Sequence, residues 1–188
     1  MSMNTVPERL AALRAAMAAN GVAVYLIPVG DPHASEYLPA HYTSLTWFSG
    51  FHGENSNLVV TRTGSALWAD GRYFVQAEKE LAGTEIRLQR MGEPGVPTVE
   101  EYCADALNEG KVLGLCGLTA STALVNGLKK ALEKKGASIR TLRLEDELWT
   151  EDRPALPDTP AWILPEEYAG FSPAQKLEQL RGRLRKLG

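Results

Sequence analysis

The sequence predicts an α/β domain built on a mixed, mostly open sheet with helices on its faces, and three observations predict it. Val22-Ala23-Val24-Tyr25-Leu26-Ile27 is a continuous apolar run of strand length, as a strand buried on both faces requires. Strand-like and helix-like segments then alternate along the chain. Two capping boxes, Thr5-Val6-Pro7-Glu8 and Thr98-Val99-Glu100-Glu101, each mark a helix start.

Taken in order, the first helix has proline in its first turn, repeats Leu10, Leu13 and Met17 at helical spacing, and ends at Asn20-Gly21. The apolar strand follows. Residues 30–57 are polar and rich in Gly, His and Ser, so they read as loops and short helices lining a surface feature. Leu58-Val59-Val60-Thr61 and Ser65-Ala66-Leu67-Trp68 flank Arg62-Thr63-Gly64, the pattern of a hairpin. After the turn Asp70-Gly71, a helix from about Tyr73 carries Tyr73, Phe74, Ala77 and Leu81 on one face, with Glu78, Lys79 and Glu80 outside. Residues 85–90 alternate as a strand. The second capping box opens a helix expected to close at Gly110. Residues 111–116 form a short strand, and Leu124, Leu128 and Leu132 stripe a helix that stops at Gly136. Residues 138–142 form a last strand. Pro154, Pro157, Pro160 and Pro165 mark 151–171 as an extended linker. Ser172-Pro173-Ala174-Gln175 then opens a helix striped by Leu177, Leu180, Leu184 and Leu187. Three placements are open to that stripe: folded onto the first domain, self-associated, or leading into a further domain.

At 188 residues the chain suits one domain with an appendage. A net charge of −3 with mixed signs gives no electrostatic ground for a nucleic-acid or anionic-membrane partner. No stretch of 18 apolar residues predicts a spanning helix, and no basic start followed by an apolar run predicts a signal peptide. Cys103 and Cys116 read as buried free thiols, which favours the cytoplasm.

Chemistry-bearing residues are sparse. His33, His41 and His52 are too widely spaced for a helical ligand pair, and Asp31, Glu36 and Asp70 are scattered acids that read as caps and turns. No G-x-S-x-G or phosphate-binding glycine loop occurs. Residues 50–57 form either a tight loop or an anion cradle. Arg72, among Trp68, Tyr73 and Phe74, is either a structural arginine bonded to loop carbonyls or to Asp31 or Glu36, or one presented to a partner or a ligand carboxylate. Trp47 and Phe51 are loop-core aromatics or part of a substrate or interface wall.

Several segments in order resemble the N-terminal region of cytosolic three-domain Xaa-Pro aminopeptidases (aminopeptidase P) of the creatinase/prolidase superfamily. They are Asp31-Pro32-His33-Ala34-Ser35-Glu36-Tyr37, Phe48-Ser49-Gly50-Phe51-His52-Gly53, Leu67-Trp68-Ala69-Asp70-Gly71-Arg72-Tyr73-Phe74, Glu147-Leu148-Trp149-Thr150-Glu151-Asp152-Arg153-Pro154 and Tyr168-Ala169-Gly170. Departures fall at Ser44-Leu45, where the family carries an arginine pair, at Gly53-Glu54-Asn55-Ser56, and at Leu115-Cys116-Gly117. All three lie in the loop region expected to face a partner domain.

The resemblance implies a ribonuclease H-like topology over 1–150, a linker over 151–171, and at 172–188 the first helix of a truncated second domain. It further implies a C-terminal pita-bread domain on the same polypeptide. That domain would hold two divalent metals, commonly manganese, and remove the residue before a proline at the second position of a peptide. This chain would then hold no catalytic residue, metal or cofactor. It would shape substrate access and assist homo-oligomer formation. Arg72, Trp47, Phe51, His52, Asp70 and Tyr73 are the cleft or interface candidates. The rival readings are a freestanding ligand-binding or dimerisation module, and a metal-dependent nuclease, which the few clustered acids disfavour.

Overall fold

The computed structural model describes residues 5–107 and 111–188. Helix α1 (Val6–Ala19) starts at the predicted box: Thr5 Oγ1 accepts the Glu8 N–H at 3.4 Å, and the Thr5 N–H reaches Glu8 Oε2 at 3.0 Å. Its Leu10, Leu13 and Met17 are buried, each stabilising the fold by about 1.5–3 kcal/mol. Strand β1 (Val24–Pro28) begins two residues later than the apolar run suggests. The Val22 N–H closes the helix instead, donating to Met17 O at 2.8 Å past Gly21 in the left-handed region.

Next come α2 (Ser44–Ser49), the antiparallel hairpin of β2 (Asn57–Thr61) and β3 (Ser65–Ala69), α3 (Phe74–Glu80) and β4 (Ile86–Arg90). Then follow α4 (Val99–Asp105), β5 (Val112–Leu115), α5 (Thr122–Glu133) and β6 (Ser138–Thr141). The second capping box is present at the start of α4, while the predicted stop at Gly110 lies outside the described residues. Helix α6 (Leu144–Leu148) was not predicted, because five residues are too few to display a helical period.

Among the described residues, six strands make one sheet in the order β4-β3-β2-β1-β5-β6. Only β2 runs antiparallel to its neighbours; the other pairs are parallel. Alternate side chains of the central strands feed two cores. Tyr25, Ile27, Leu58, Val60 and Leu67 meet Leu10, Leu13, Met17, Phe48, Phe51 and Leu144 on one face. Val24, Leu26, Val59 and Trp68 meet Val99, Cys103, Leu128 and Leu132 on the other. The sheet is therefore covered on both sides, as its continuous apolar strands require.

The chain divides into two compact units, Met1–Leu156 and Pro157–Gly188. Within the second, the segment predicted to be extended contains one turn of helix, α7 (Glu166–Ala169). Its first N–H groups need no partner, so Pro165 is tolerated just before it. Helix α8 (Pro173–Lys186) opens with the predicted Ser172/Gln175 capping box. No helix among the described residues is long and apolar enough to cross a membrane.

Candidate functional site

Because β1, β3 and β5 run parallel, the loops leaving their carboxyl ends gather at one edge of the sheet, the usual place for a site in an open α/β fold. The loops after Pro28 and Leu115 and the start of α5 enclose an open cleft of about 800 Å³. Asp31, Glu36, Glu54, Asn55 and Arg72 line it. A β-carbon on Gly30 would sit 2.6 Å from Thr119 O, so glycine is what lets two of these loops approach so closely. Asp31 caps its own turn, accepting the N–H groups of His33 at 2.9 Å and Ser35 at 3.0 Å. The Ser35 N–H above all holds its carboxyl below the usual range.

Asp70 organises the neighbouring wall. Its Oδ1 accepts the Arg72 backbone N–H at 2.9 Å, and its Oδ2 accepts Arg72 Nη2 at 2.7 Å and Asn55 Nδ2 at 2.9 Å. The Arg72 guanidinium first, then the Asn55 amide, holds the Asp70 carboxyl far below the usual carboxylate range. Asn55 reaches it from the left-handed region, which asparagine tolerates better than most residues. Arg72 in turn lies 5.3 Å from the Tyr73 ring centre, and Tyr73 Oη donates to Glu54 Oε2 at 3.2 Å. The Tyr73 ring meets buried Phe51 edge-on at 6.2 Å. The His52 N–H donates to Glu80 Oε2 at 2.9 Å, and Gln76 Nε2 donates to the other Glu80 oxygen at 3.1 Å.

The Creatinase/Prolidase N-terminal domain family matches residues 9–144, most of the chain. The chain belongs to that family.

Among curated relatives of this creatinase/prolidase N-terminal domain, aminopeptidase P2 of Arabidopsis thaliana is 38% identical over 97% of this chain and 26% of its own length. A probable Xaa-Pro aminopeptidase P of Sordaria macrospora is 40% identical over 99% of this chain and 30% of its own. The chain thus spans under a third of these relatives. Among solved structures, an X-prolyl aminopeptidase from Caenorhabditis elegans, described as a cytosolic enzyme with a di-nuclear active site, superposes with a TM-score of 0.82. It is 33% identical and is covered over 98% of this chain and 32% of its own. The N-terminal domain of the cytoplasmic peptidase PepQ from Mycobacterium tuberculosis H37Rv is 26% identical, with a TM-score of 0.53 over 74% of this chain and 95% of its own.

Within this creatinase/prolidase N-terminal domain, five of the six predicted site residues share one neighbourhood: Phe51, His52, Asp70, Arg72 and Tyr73. Trp47 does not join them. It stacks on Trp149 at 5.6 Å, and the Arg9 guanidinium lies 4.5 Å from its ring centre. The structural partner of Arg72 is Asp70, two residues away, rather than Asp31 or Glu36, because the turn after β3 points both side chains the same way. Of the three departures, Ser44, Leu45 and Cys116 are buried and pack inward, whereas Glu54 and Asn55 stand at the cleft.

The sequence reading places Glu54 and Asn55 in the 50–57 loop but does not pair them with Tyr73 and Asp70, and it gives Glu80 no partner. Glu80 was assigned to the outer face of α3, and its spacing of four from Gln76 was the available signal.

The hydroxyls near the cleft serve the backbone. Ser49 Oγ donates to Leu45 O at 2.7 Å, and Ser56 Oγ donates to Gly53 O at 3.2 Å. No group of three His, Cys, Asp or Glu that could hold a metal ion occurs among the described residues. The cleft and its wall thus bring together the Arg72 guanidinium, the carboxylates of Asp31, Glu36, Glu54 and Asp70, and the Tyr73 ring.

Proposed function

We propose that this chain is the N-terminal, non-catalytic part of an Xaa-Pro aminopeptidase-like metallopeptidase. Bond cleavage would come from two divalent metal ions, manganese by preference, held in a C-terminal domain of the same polypeptide. The observation that carries this reading is the likeness of nearly the whole chain to aminopeptidases P of which it spans under a third. The work assigned to the chain is to form one wall of the approach to the catalytic domain and to help subunits associate. Arg72, Tyr73 and Glu54 would contact the portion of a long peptide beyond its second-position proline. Helix α8, with its leucine stripe, would open a second domain, and the whole protein would act in the cytoplasm.

Two experiments test this. The purified 188-residue chain, supplied with manganese and an Xaa-Pro peptide, should show no turnover; stoichiometric turnover would overturn the assignment of chemistry to other polypeptide. In the whole enzyme, Arg72→Ala should raise KM several-fold for peptides of six or more residues and leave a tripeptide unaffected. An equal effect on both lengths would exclude a role in the approach path.

A further inference from the structure

Helix α6 carries two adjacent acids that are held from opposite sides. Glu145 is buried, with its Oε2 2.6 Å from Tyr25 Oη on β1. The same phenol oxygen lies 3.2 Å from Leu142 O and accepts the Leu144 N–H at 3.3 Å. Tyr25 has one proton and two acceptors for it. With a neutral Glu145, the carboxyl O–H donates to the phenol and the phenol donates to Leu142 O, so every group is satisfied. With a charged Glu145, the phenol donates to the carboxylate and the half-buried Leu142 O loses its partner, while the charge itself stands buried away from water.

Asp146, the next residue, ion-pairs with Arg143 and with Arg153. Arg153 also donates from Nε to His41 O at 3.2 Å and lies 5.3 Å from the Trp149 ring centre. His41 Nδ1 is 2.7 Å from Pro154 O, which requires the proton on Nδ1. Trp149 stacks on Trp47 with a 19° angle between planes. Residues 149–154 therefore form a strap laid against α2 and the turn before it, and Asp146 is one of its fastenings.

The charged and titratable groups around Glu145 are few. Tyr25 faces it from β1, Asp146 from its own helix and Arg153 from the strap, and Cys116 lies near the Tyr25 phenol. On α1, which packs against α6, Arg9 turns to Trp47 and Arg14 to Glu85. Burial, helped by the negative charge of Asp146, pushes the Glu145 carboxyl up to about 7, with Tyr25 and Arg153 opposing.

We propose that α6 is a proton-sensitive latch: when Glu145 becomes charged, the helix shifts out of the core and the Asp146–Arg153 hold on residues 149–154 loosens. The strap immediately precedes the unit Pro157–Gly188 in the chain, so the latch controls how firmly the connecting segment is held.

Hydrogen exchange of the 188-residue chain at pH 6 and pH 8.5, corrected for intrinsic rates, tests the latch. Protection of the Trp149 amide, which donates to Glu145 O at 2.9 Å and ties the strap to α6, should fall about fivefold or more at the higher pH, with the amides of β1 and β5 unchanged. Glu145→Gln should abolish that difference. Asp146→Asn, whose side chain is not part of the core, should leave the strap open at both pH values and serves if Glu145→Gln fails to fold. Unchanged protection in the parent chain, an equal loss across β1 and β5, or a surviving pH response in either variant would overturn the proposal.

Discussion

Gly53 lies so close to Phe51 that a β-carbon built on it would sit 2.2 Å from the phenyl Cζ and 2.9 Å from Cδ1 of Tyr73. Its backbone is not in the left-handed region, so the requirement for glycine is steric: the edge-on meeting of Phe51 and Tyr73 fills the space. Gly53→Ala should therefore cost about 1–3 kcal/mol by displacing a buried ring. Gly64→Ala, with nothing within 4 Å of the added carbon, should cost under about 1 kcal/mol. Urea midpoints of the two variants check this, and equal losses would exclude the steric account.

Asp70 makes the wall of the cleft sensitive to acid. Its carboxyl is depressed in the folded state, so the stability it contributes is present above the unfolded value near 3.8 and is lost as pH falls towards the folded one. Asp70→Asn should lower stability at pH 7 and flatten the decline between pH 4 and pH 2. Denaturation series at these pH values decide it; a parallel decline in both proteins would show that Asp70 does not contribute.

Glu145 has the opposite sign. Its folded value of about 7 stands above the usual 4.5, so its contribution is complete below pH 4.5 and disappears as pH rises through 7. Global stability should fall on the order of 2 kcal/mol from pH 5 to pH 8 on this account, and Glu145→Gln should remove most of that slope. Thermal or urea unfolding at pH 5 and 8 measures both.

Cys103 should be unreactive in the native protein. It is buried on α4, and burial, with a smaller effect from the Glu100 charge, pushes its thiol up to about 12. Alkylation at pH 8 followed by mass spectrometry should find it unmodified when folded and fully modified in urea. Rapid native labelling would mean that α4 opens locally.

The Trp47–Trp149 stack joins residues 102 positions apart in the chain. A double-mutant cycle of Trp47→Ala and Trp149→Ala should return a coupling of about 0.5–1.5 kcal/mol. Strict additivity would mean that the two rings contribute only through separate contacts.

Elements with their own local signals were legible before the structure. The capping boxes at Thr5, Thr98 and Ser172, the apolar run of β1 and the hairpin around Arg62-Thr63-Gly64 each carry backbone preferences within a few residues. Helix α6 was not legible, since its five residues are held by Tyr25 and by packing on α1 rather than by any repeat of their own.

The candidate site divides in the same way. The turn chemistry of Asp70 and the presentation of Arg72 follow from neighbours in sequence. That Asn55 supports Asp70, that Glu80 holds the His52 backbone, and that Trp47 leaves the group for Trp149 do not. By itself, then, the sequence determined the α/β class, the helix starts and the family resemblance, because short-range preferences and side-chain period are written locally. Only the tertiary structure decided which loops meet at the sheet edge and which aromatics pair. Those depend on strand order and on parallel crossovers, which bring together residues that no local pattern relates.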